Sequence, residues 1–328
     1  MNPSPTLSLE KAELQKLKDF LGGKPSLTIL THANPDGDAV GSALGLFWAL
    51  KPLGFKLTLA CLDPISPAFQ FLAGSGEFQT DFDLESSEGL VFLDCGEKRM
   101  TRFEDSKPDL FDPKRTIINL DHHPTNDSFG DINFVLPKAS STAEIVTSLL
   151  EALELPLTPE ISSALLLGLY TDTGSFQHQN TTPSAYAAAA KLVRAGGNIS
   201  KIAKHVFFSN EFKKFKLWGK VLNNLHVTED GAAIVGVYKK DYESVGATRA
   251  DLNGVVDLIN SMPESRYTVM LSEDEKGNVK ASLRTRNEDV DVRALAEKFG
   301  GGGHVKASGF TIPRGHLQKE VKWKIVQE

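Results

Sequence analysis

Short apolar runs alternate with helix-like patterns over the first 195 residues of the chain. Runs rich in β-branched residues and leucine indicate buried strands at residues 26–30, 56–63, 89–96 and 115–123. Apolar side chains at helical spacing indicate helices at residues 8–21, near 39–51 and repeatedly between 141 and 195. Because strands that alternate with helices form parallel sheets covered by those helices, the pattern predicts an α/β domain with a mostly parallel sheet.

The pattern changes after residue 225. Strand-like runs occur at residues 232–240, 266–274 and 278–286, with helical patterns near 249–260 and 291–299. This order predicts a smaller, mixed α/β domain at the C-terminal end. Its last segment is unusual, because four consecutive glycines precede His304 in FGGGGHVKASGF. Glycines contribute no packing and lose backbone entropy on ordering, so a closely approaching ligand explains the run, and a flexible loop that ends a helix is the alternative.

Residues 201–225 are basic and aromatic at helical spacing. We interpret them as an amphipathic connector in which Phe212, Phe215 and Trp218 pack against a domain, with a nucleic-acid-binding strip as the alternative. The expected organisation is therefore a larger α/β domain at residues 1–197, a helical connector at 198–225 and a smaller mixed α/β domain at 226–328.

Length and charge limit the partners. A chain of 328 residues exceeds what one core usually serves, in keeping with two domains. A net charge of −6 disfavours a long nucleic-acid footprint, so any nucleic-acid substrate should be short. The chain shows neither a long apolar run nor a signal-peptide pattern, and its two cysteines, Cys61 and Cys95, lie in apolar runs. We expect buried thiols, a cytoplasmic location and no membrane contact.

Carboxylates and imidazoles follow the predicted strands and one predicted helix. They come from four separate segments: His32, Asp36 and Asp38; Asp94; Asp121, His122 and His123; and Asp172. Carboxyl ends of parallel strands share one edge, and carboxylates that meet there repel unless cations intervene. Ligation by carboxylates and imidazoles without thiolates favours Mn²⁺, with Mg²⁺, Co²⁺ or Zn²⁺ as alternatives. The number of ligands suits two ions, which can activate a hydroxide for attack on phosphorus.

Each segment also has an ordinary structural interpretation. Asp36 and Gly37 form a common turn signal, paired histidines can be satisfied at a strand end, and Asp94 and Asp172 can each cap a turn. The metal-site hypothesis depends on all four segments occurring together after apolar runs.

These segments resemble the motifs of a known family. The stretches HANPDGDAVGS (32–42), VFLDCG (91–96), DHH (121–123) after INL, and YTDTGSF (170–176) are similar, in order, to the four motifs of the DHH phosphoesterase family. SLRTR (282–286) and GGGHVKASG (301–309) resemble its associated C-terminal domain, in the branch that includes nanoRNA oligoribonucleases with 3′,5′-bisphosphate nucleotidase activity.

The resemblance implies a role for each motif residue. One Mn²⁺ would bind His32, Asp36 and Asp94, and the other Asp38, Asp94, His122 and Asp172, so that Asp94 bridges the pair. His123 would face the scissile phosphate, and Asp121 would orient the neighbouring imidazoles. In the C-terminal domain, Arg284 and His304 would bind the terminal phosphate or the base, beside the backbone of Gly301, Gly302 and Gly303.

The expected function is Mn²⁺-dependent hydrolysis of very short RNA, dinucleotides included, to mononucleotides, together with hydrolysis of 3′-phosphoadenosine 5′-phosphate. A cyclic-dinucleotide (c-di-AMP) or linear-dinucleotide phosphodiesterase is the alternative within the family. A non-catalytic nucleotide sensor is the alternative from another class. RecJ-like exonucleases and family II pyrophosphatases fit less well, because their other domains differ. The sequence does not decide whether the protein forms a homodimer or whether the two domains close on substrate.

Overall fold

The computed structural model describes residues 7–207 and 212–318. The chain forms two compact units, Met1–Ser209 and Asn210–Glu328. Helix α6 (Ile199–Phe207) belongs to the first unit and helix α7 (Phe212–Asn223) to the second. Both fall in the predicted connector, of which residues 208–211 lie outside the described residues. The three-part division at residues 197 and 225 stays a prediction.

The first unit contains a parallel sheet flanked by helices. Its elements are α1 (Lys11–Gly22), β1 (Leu27–Thr31), α2 (Gly37–Leu50), β2 (Leu57–Ala60), β3 (Phe78–Gln79), β4 (Gly89–Leu93), β5 (Thr116–Asp121), β6 (Ile132–Val135), α3 (Thr142–Ala152), α4 (Pro159–Asp172), α5 (Pro183–Arg194) and α6. The strand order is β3-β2-β1-β4-β5-β6, and every neighbouring pair is parallel. All residues of β1 and β4 are buried, as expected of parallel strands covered on both faces.

Helices α2 and α4 approach each other through glycines. Thirteen of the fourteen residues of α2 are buried, so the helix lies inside the unit and not on its surface. A Cβ atom on Gly41 would overlap the carbonyl oxygen of Ala164 and lie 2.8 Å from the backbone nitrogen of Gly168. No larger residue fits between the two helix backbones. This contact holds α2, and with it the turn before α2, close to α4.

The second unit contains a mixed sheet. Its elements are α7, β7 (His226–Val227), β8 (Ala232–Val237), α8 (Lys239–Glu243), α9 (Val255–Asn260), β9 (Tyr267–Glu273), β10 (Val279–Arg284), α10 (Val292–Glu297), β11 (Gly302–Gly303) and β12 (Ala307–Ile312). The strand order is β11-β12-β10-β9-β8-β7, with β8 and β9 parallel and the other pairs antiparallel. Buried and partly exposed residues alternate along β9 and β10, so one face of the sheet packs on the core. The two sheets confirm the predicted fold class.

Several expectations need correction. Phe212 and Phe215 do not pack against a domain, because their side chains are 73% and 56% exposed. They lie on the face of α7 opposite the buried Leu217 and Val221, while Trp218 is partly buried and donates a hydrogen bond to the carbonyl of Asp251. The helix expected at 249–260 is interrupted at Gly254, whose φ of +92° lies outside helical geometry.

Among the described residues, no helix is both long and apolar enough to span a membrane.

The glycine contact between α2 and α4 predicts a large effect from one methyl group. We expect Gly41→Ala to lower the free energy of unfolding of the first unit by about 1–3 kcal/mol, because the methyl group forces the helix backbones apart. Gly22→Ala is the matched control, since a Cβ atom there has no neighbour within 4 Å. Urea unfolding followed by circular dichroism measures both. Equal stability of the two variants would contradict the packing argument.

Candidate metal centre

The turn after β1 is fixed by the start of helix α2. Asp36 is the N-cap residue of α2, and its Oδ1 accepts hydrogen bonds from the backbone nitrogens of Asp38 (2.9 Å) and Ala39 (3.0 Å). Aspartate at this position satisfies amide groups that have no partner within the helix. Asp36 is therefore both a structural cap and a carboxylate that lies at the carboxyl edge of the sheet.

One cluster of donor atoms contains His32, Asp36 and Asp94. Nε2 of His32 lies 3.9 Å from Oδ1 of Asp36 and 3.7 Å from Oδ2 of Asp94. Nδ1 of His32 donates a hydrogen bond to the carbonyl of Ala33 (2.9 Å), which directs Nε2 toward the carboxylates. One donor atom from each of the three residues lies within 4.8 Å of the others, a spacing that could hold a metal ion.

A second cluster contains Asp94, His122 and His123, again within 4.8 Å. Oδ1 of Asp94 lies 3.6 Å from Nε2 of His122 and 3.7 Å from Nδ1 of His123. Nε2 of His122 also lies 3.7 Å from Oδ2 of Asp172, which extends the cluster to the end of α4. Asp94 belongs to both clusters, one through each carboxylate oxygen.

The backbone at Asp94 is strained. Its φ is +58°, a region that residues other than glycine seldom adopt, although aspartate tolerates it better than most. The backbone nitrogen of Asp94 donates to the carbonyl of Leu120 (3.1 Å), so the neighbouring strand β5 supports this conformation. Such conformations persist where the surrounding structure enforces them, often at functional sites.

Asp38 has a different environment from the other carboxylates. It is 1% exposed, and its two oxygens accept hydrogen bonds from the first backbone nitrogens of α3, those of Thr142 (2.6 Å) and Ala143 (2.9 Å). Burial and the negative charges of Asp94, Asp172 and Asp36 raise the pKa of Asp38 well above its usual value. Among the described residues, Asp38 is in neither three-residue cluster, and its role as a ligand stays a prediction.

The crowding of carboxylates changes the proton affinity of their neighbours. Burial would lower the pKa of His32, but hydrogen bonds and the charges of Asp36 and Asp94 outweigh it and raise that pKa to about 11. For His123, burial is likewise outweighed by Asp121, and the pKa rises to about 9. Burial, assisted by Asp94 and Asp36, raises the pKa of Asp172 to about 7. Side chains of the site therefore bind protons more strongly than usual, and a metal ion would compete with those protons for the same donor atoms.

Two contacts of these carboxylates were not predicted. The hydroxyl of Thr142 donates to Oδ1 of Asp94 (3.1 Å), and the side-chain amide of Asn180 donates to Oδ2 of Asp172 (3.2 Å) and to the carbonyl of Ser140 (2.9 Å). Thr142 follows the capping residue of α3, and nothing in its local sequence distinguishes it. Asn180 comes eight residues after Asp172. The only local feature that could have pointed to it is its position in the loop that contains Gly174.

The predicted substrate-binding residues lie in the second unit. Arg284 ends β10, is partly exposed, and donates through Nε to Oδ1 of Asp257 (3.0 Å). His304 is exposed and follows the short strand β11, which pairs with β12. A Cβ atom on Gly301 would overlap the carbonyl oxygen of Gly309, whereas one on Gly302 would have no neighbour within 4 Å. The glycine run is thus partly required by the hairpin itself at Gly301 and Gly303, whereas Gly300 and Gly302 face open space.

The donor set fits divalent cations. Asp38 and Asp94 are at most 2% exposed and repel each other, which is costly unless a positive charge lies between them. Imidazole and carboxylate donors without thiolates suit Mn²⁺, Mg²⁺ or Co²⁺. A parallel sheet with carboxylates and imidazoles gathered at its carboxyl edge is the arrangement of a metal-dependent hydrolase, and two metal ions there would suit the hydrolysis of phosphoester bonds.

Comparison with known proteins gives the family. The DHH family N-terminal domain matches residues 26–169, and the DHHA1 domain matches residues 231–327. A bifunctional oligoribonuclease and PAP phosphatase NrnA from Thermus thermophilus is 36% identical over 286 residues, which cover 87% of this chain and 83% of that protein. The chain belongs to the DHH family of phosphoesterases, as its motifs predicted.

Solved structures show the same fold. An exopolyphosphatase-related protein from Bacteroides fragilis superimposes with a TM-score of 0.85 at 24% identity, over 93% of this chain and 92% of that one. RecJ from Thermus thermophilus, in complex with Mn²⁺, gives a TM-score of 0.55 at 16% identity, over 95% of this chain and 53% of RecJ.

The raised pKa values predict that metal binding releases protons. His32, with a pKa of about 11, is protonated between pH 6 and 8, whereas Asp172, with a pKa of about 7, loses its proton across this range. A ligand must be deprotonated, so the apparent affinity for Mn²⁺ should rise with pH, about tenfold per pH unit for each proton released. Titration calorimetry in buffers of different ionisation enthalpy measures this release.

His32→Asn is the control for this titration, because it removes a group that is protonated without the ion, and it should reduce the number of protons released. An affinity that is equal at pH 6 and pH 8, with no dependence on the buffer, would contradict the assignment.

Proposed function

We propose that the protein is a Mn²⁺-dependent phosphoesterase that hydrolyses very short RNA, dinucleotides included, to mononucleotides and 3′-phosphoadenosine 5′-phosphate to AMP. The observation that carries the proposal is the position of Asp94, whose two oxygens face two separate groups of side chains that could hold a metal ion. A carboxylate shared in this way would hold two ions close together, as two-metal phosphoryl chemistry requires.

The relatives support the choice of substrate. The Thermus thermophilus protein is named for both oligoribonuclease and PAP phosphatase activity, and it aligns with most of this chain. The net charge of −6 also favours short substrates, since a long polyphosphate chain would be repelled by the surface. The Mn²⁺ complex of RecJ supports the choice of metal.

We assign the metal ligands as two groups with a common member. His32, Asp36 and Asp94 would hold one ion, and Asp38, Asp94, His122 and Asp172 the other. Bound ions would lower the pKa of a water molecule and stabilise charge on the phosphate oxygens. The hydrogen bonds to Asp38 from Thr142 and Ala143 keep its carboxylate oriented before any ion binds.

We assign His123 as the residue that contacts the scissile phosphate. Its Nδ1 donates to Oδ1 of Asp121 (2.7 Å), and the raised pKa of about 9 keeps the ring protonated at neutral pH. A protonated imidazole donates to a phosphate oxygen and stabilises the charge that develops there. Asp121, which is fully buried, holds the ring in this orientation.

In the second unit, we assign Arg284, His304 and the backbone of Gly301, Gly302 and Gly303 to substrate binding. Arg284 is partly exposed; its Nε donates to Asp257 and its Nη1 to the carbonyl of Leu283, and the remaining N–H groups of the guanidinium are those we assign to a phosphate. Gly302 and Gly303 are exposed, so a ligand can approach their backbone closely.

The substrate assignment predicts a dependence on length. With Mn²⁺ and 5′-labelled RNA of two to 24 nucleotides, turnover should be fastest on the dinucleotide and fall steeply with length, because long chains are repelled. Hydrolysis of 3′-phosphoadenosine 5′-phosphate should be detectable in the same chromatographic assay. Asp94→Ala should reduce kcat by at least about 10³-fold, since it removes the shared ligand.

The same panel contains the outcomes that would overturn the proposal. Faster cleavage of c-di-AMP than of the linear RNA dinucleotides, pApA included, would assign the protein to cyclic-dinucleotide second messengers. Absence of turnover with Mn²⁺, Mg²⁺ and Co²⁺, with nucleotide binding retained, would assign it as a sensor.

The role of Arg284 predicts a binding defect. Arg284→Ala should raise KM about tenfold or more with kcat changed less, because it removes an interaction made with substrate before the chemical step. Arg286→Ala, an exposed arginine two residues further along, is the matched control and should behave like the wild type. Steady-state kinetics on the dinucleotide measure both variants, and equal KM values would reject the assignment.

A further inference from the structure

The loop after the DHH motif contains an asparagine whose side chain reaches back to the motif. The side-chain nitrogen of Asn126 donates to Oδ2 of Asp121 (2.8 Å) and to the carbonyl of Cys95 (2.9 Å). Asp121 is 0% exposed, and its other oxygen accepts the hydrogen bond from Nδ1 of His123. Both oxygens of this buried carboxylate are therefore occupied by side chains from the same short loop.

The orientation of the Asn126 amide is determined by its surroundings. Its Oδ1 accepts hydrogen bonds from the backbone nitrogen of Ser128 (2.8 Å) and from the side-chain nitrogen of Asn119 (2.9 Å). A backbone N–H is only a donor, so the oxygen must face Ser128 and the NH₂ group must face Asp121. If the amide flipped, its oxygen would lie against a carboxylate and a carbonyl.

This network extends into the buried strand β5. Asn119 is 0% exposed, and its side-chain nitrogen also lies 3.2 Å from Oδ1 of Asn133, the side chain of which is anchored to Gly130. The amides thus connect rigid sheet positions to the carboxylate of Asp121. The network is buried at Asn119 and Asp121 and partly buried at Asn126 and Asn133, and its hydrogen bonds restrict the geometry of each member.

We propose that Asn126 is a positioning residue for the hydrolytic site, acting through Asp121 to hold the His123 imidazole toward the phosphate. The inference rests on the proposed function, because it assumes that His123 contacts the substrate. Without the Asn126 donor, Oδ2 of Asp121 loses a partner in a buried setting, and the carboxylate can rotate. The ring of His123, held by the other oxygen, would rotate with it.

A simpler role for Asn126 is to hold the loop. Its backbone nitrogen donates to the carbonyl of His123 (3.2 Å), and its Oδ1 caps the turn at Ser128. The positioning role uses the side-chain nitrogen, whereas the loop role uses Oδ1 and the backbone nitrogen, so the two roles are separable. Asn126→Asp keeps the oxygen that faces Ser128 and the shape of the side chain, but it replaces the donor to Asp121 by an acceptor.

The first experiment compares Asn126→Asp, Asn126→Ala and Asp127→Asn on the RNA dinucleotide with Mn²⁺ at pH 8. We expect both Asn126 variants to reduce kcat about 10- to 100-fold, the usual cost of removing an outer partner of a catalytic group, with KM within about twofold. Asp127→Asn changes an exposed residue of the same loop and should retain wild-type kinetics. Wild-type kcat in Asn126→Asp would overturn the inference and leave only the loop role.

The second experiment is a double-mutant cycle with His123→Ala. If Asn126 acts through His123, adding Asn126→Ala to His123→Ala should cause less than about a twofold further loss of kcat, whereas a general loop defect would add its full effect. An additive loss overturns the inference. If His123→Ala keeps wild-type kcat, the role assigned to His123 is wrong, and the inference about Asn126 is wrong with it. An additive loss in the double mutant, with a low kcat in His123→Ala, would overturn the inference about Asn126 alone.

Discussion

Repulsion between buried carboxylates at one edge of the parallel sheet is the constraint on which the first unit depends. Asp38, Asp94 and Asp121 are each at most 2% exposed, and a buried charge is costly unless hydrogen bonds or opposite charges compensate it. Each carboxylate is compensated differently. Asp38 accepts hydrogen bonds from two backbone N–H groups at the start of α3. Asp94 accepts a hydrogen bond from a threonine hydroxyl and lies near three imidazoles. Asp121 accepts hydrogen bonds from Asn126 and His123.

The helices owe their arrangement partly to the same requirement. The absence of a side chain at Gly41 and Gly168 allows α2 and α4 to approach closely, and a Cβ atom on Gly168 would lie 2.6 Å from Oδ1 of Asp38. The N-terminus of α3 supplies both N–H groups to that carboxylate, where the helix dipole also favours negative charge. The packing of α2, α3 and α4 therefore also fixes the orientation of the Asp38 carboxylate.

The affinity of the site for cations follows from the negative charge of its carboxylates. The carboxylates raise the pKa of His32 and His123, and burial together with the neighbouring carboxylates raises that of Asp172, so that protons are bound where cations would bind. A site of this kind selects small, hard cations and, through them, phosphate groups. The second unit contains an arginine and an exposed glycine hairpin, which the proposed function assigns to binding the phosphate of a short nucleotide.

The sequence by itself determined the parallel sheet, the mixed second sheet and the identity of the side chains at the strand ends. Apolar runs specify strands locally, and parallel strands bring their carboxyl ends to one edge, so His32, Asp94 and His122 could be expected to meet. Tertiary structure alone decided their partners. Thr142 lies 104 residues after Asp38, the Asn126 amide donates to the carbonyl of Cys95, 31 residues earlier, and Phe212 and Phe215 are exposed because the opposite face of α7 is buried. Periodicity reports which face of an element is apolar, but a contact between distant segments depends on how the elements pack, and no local pattern records it.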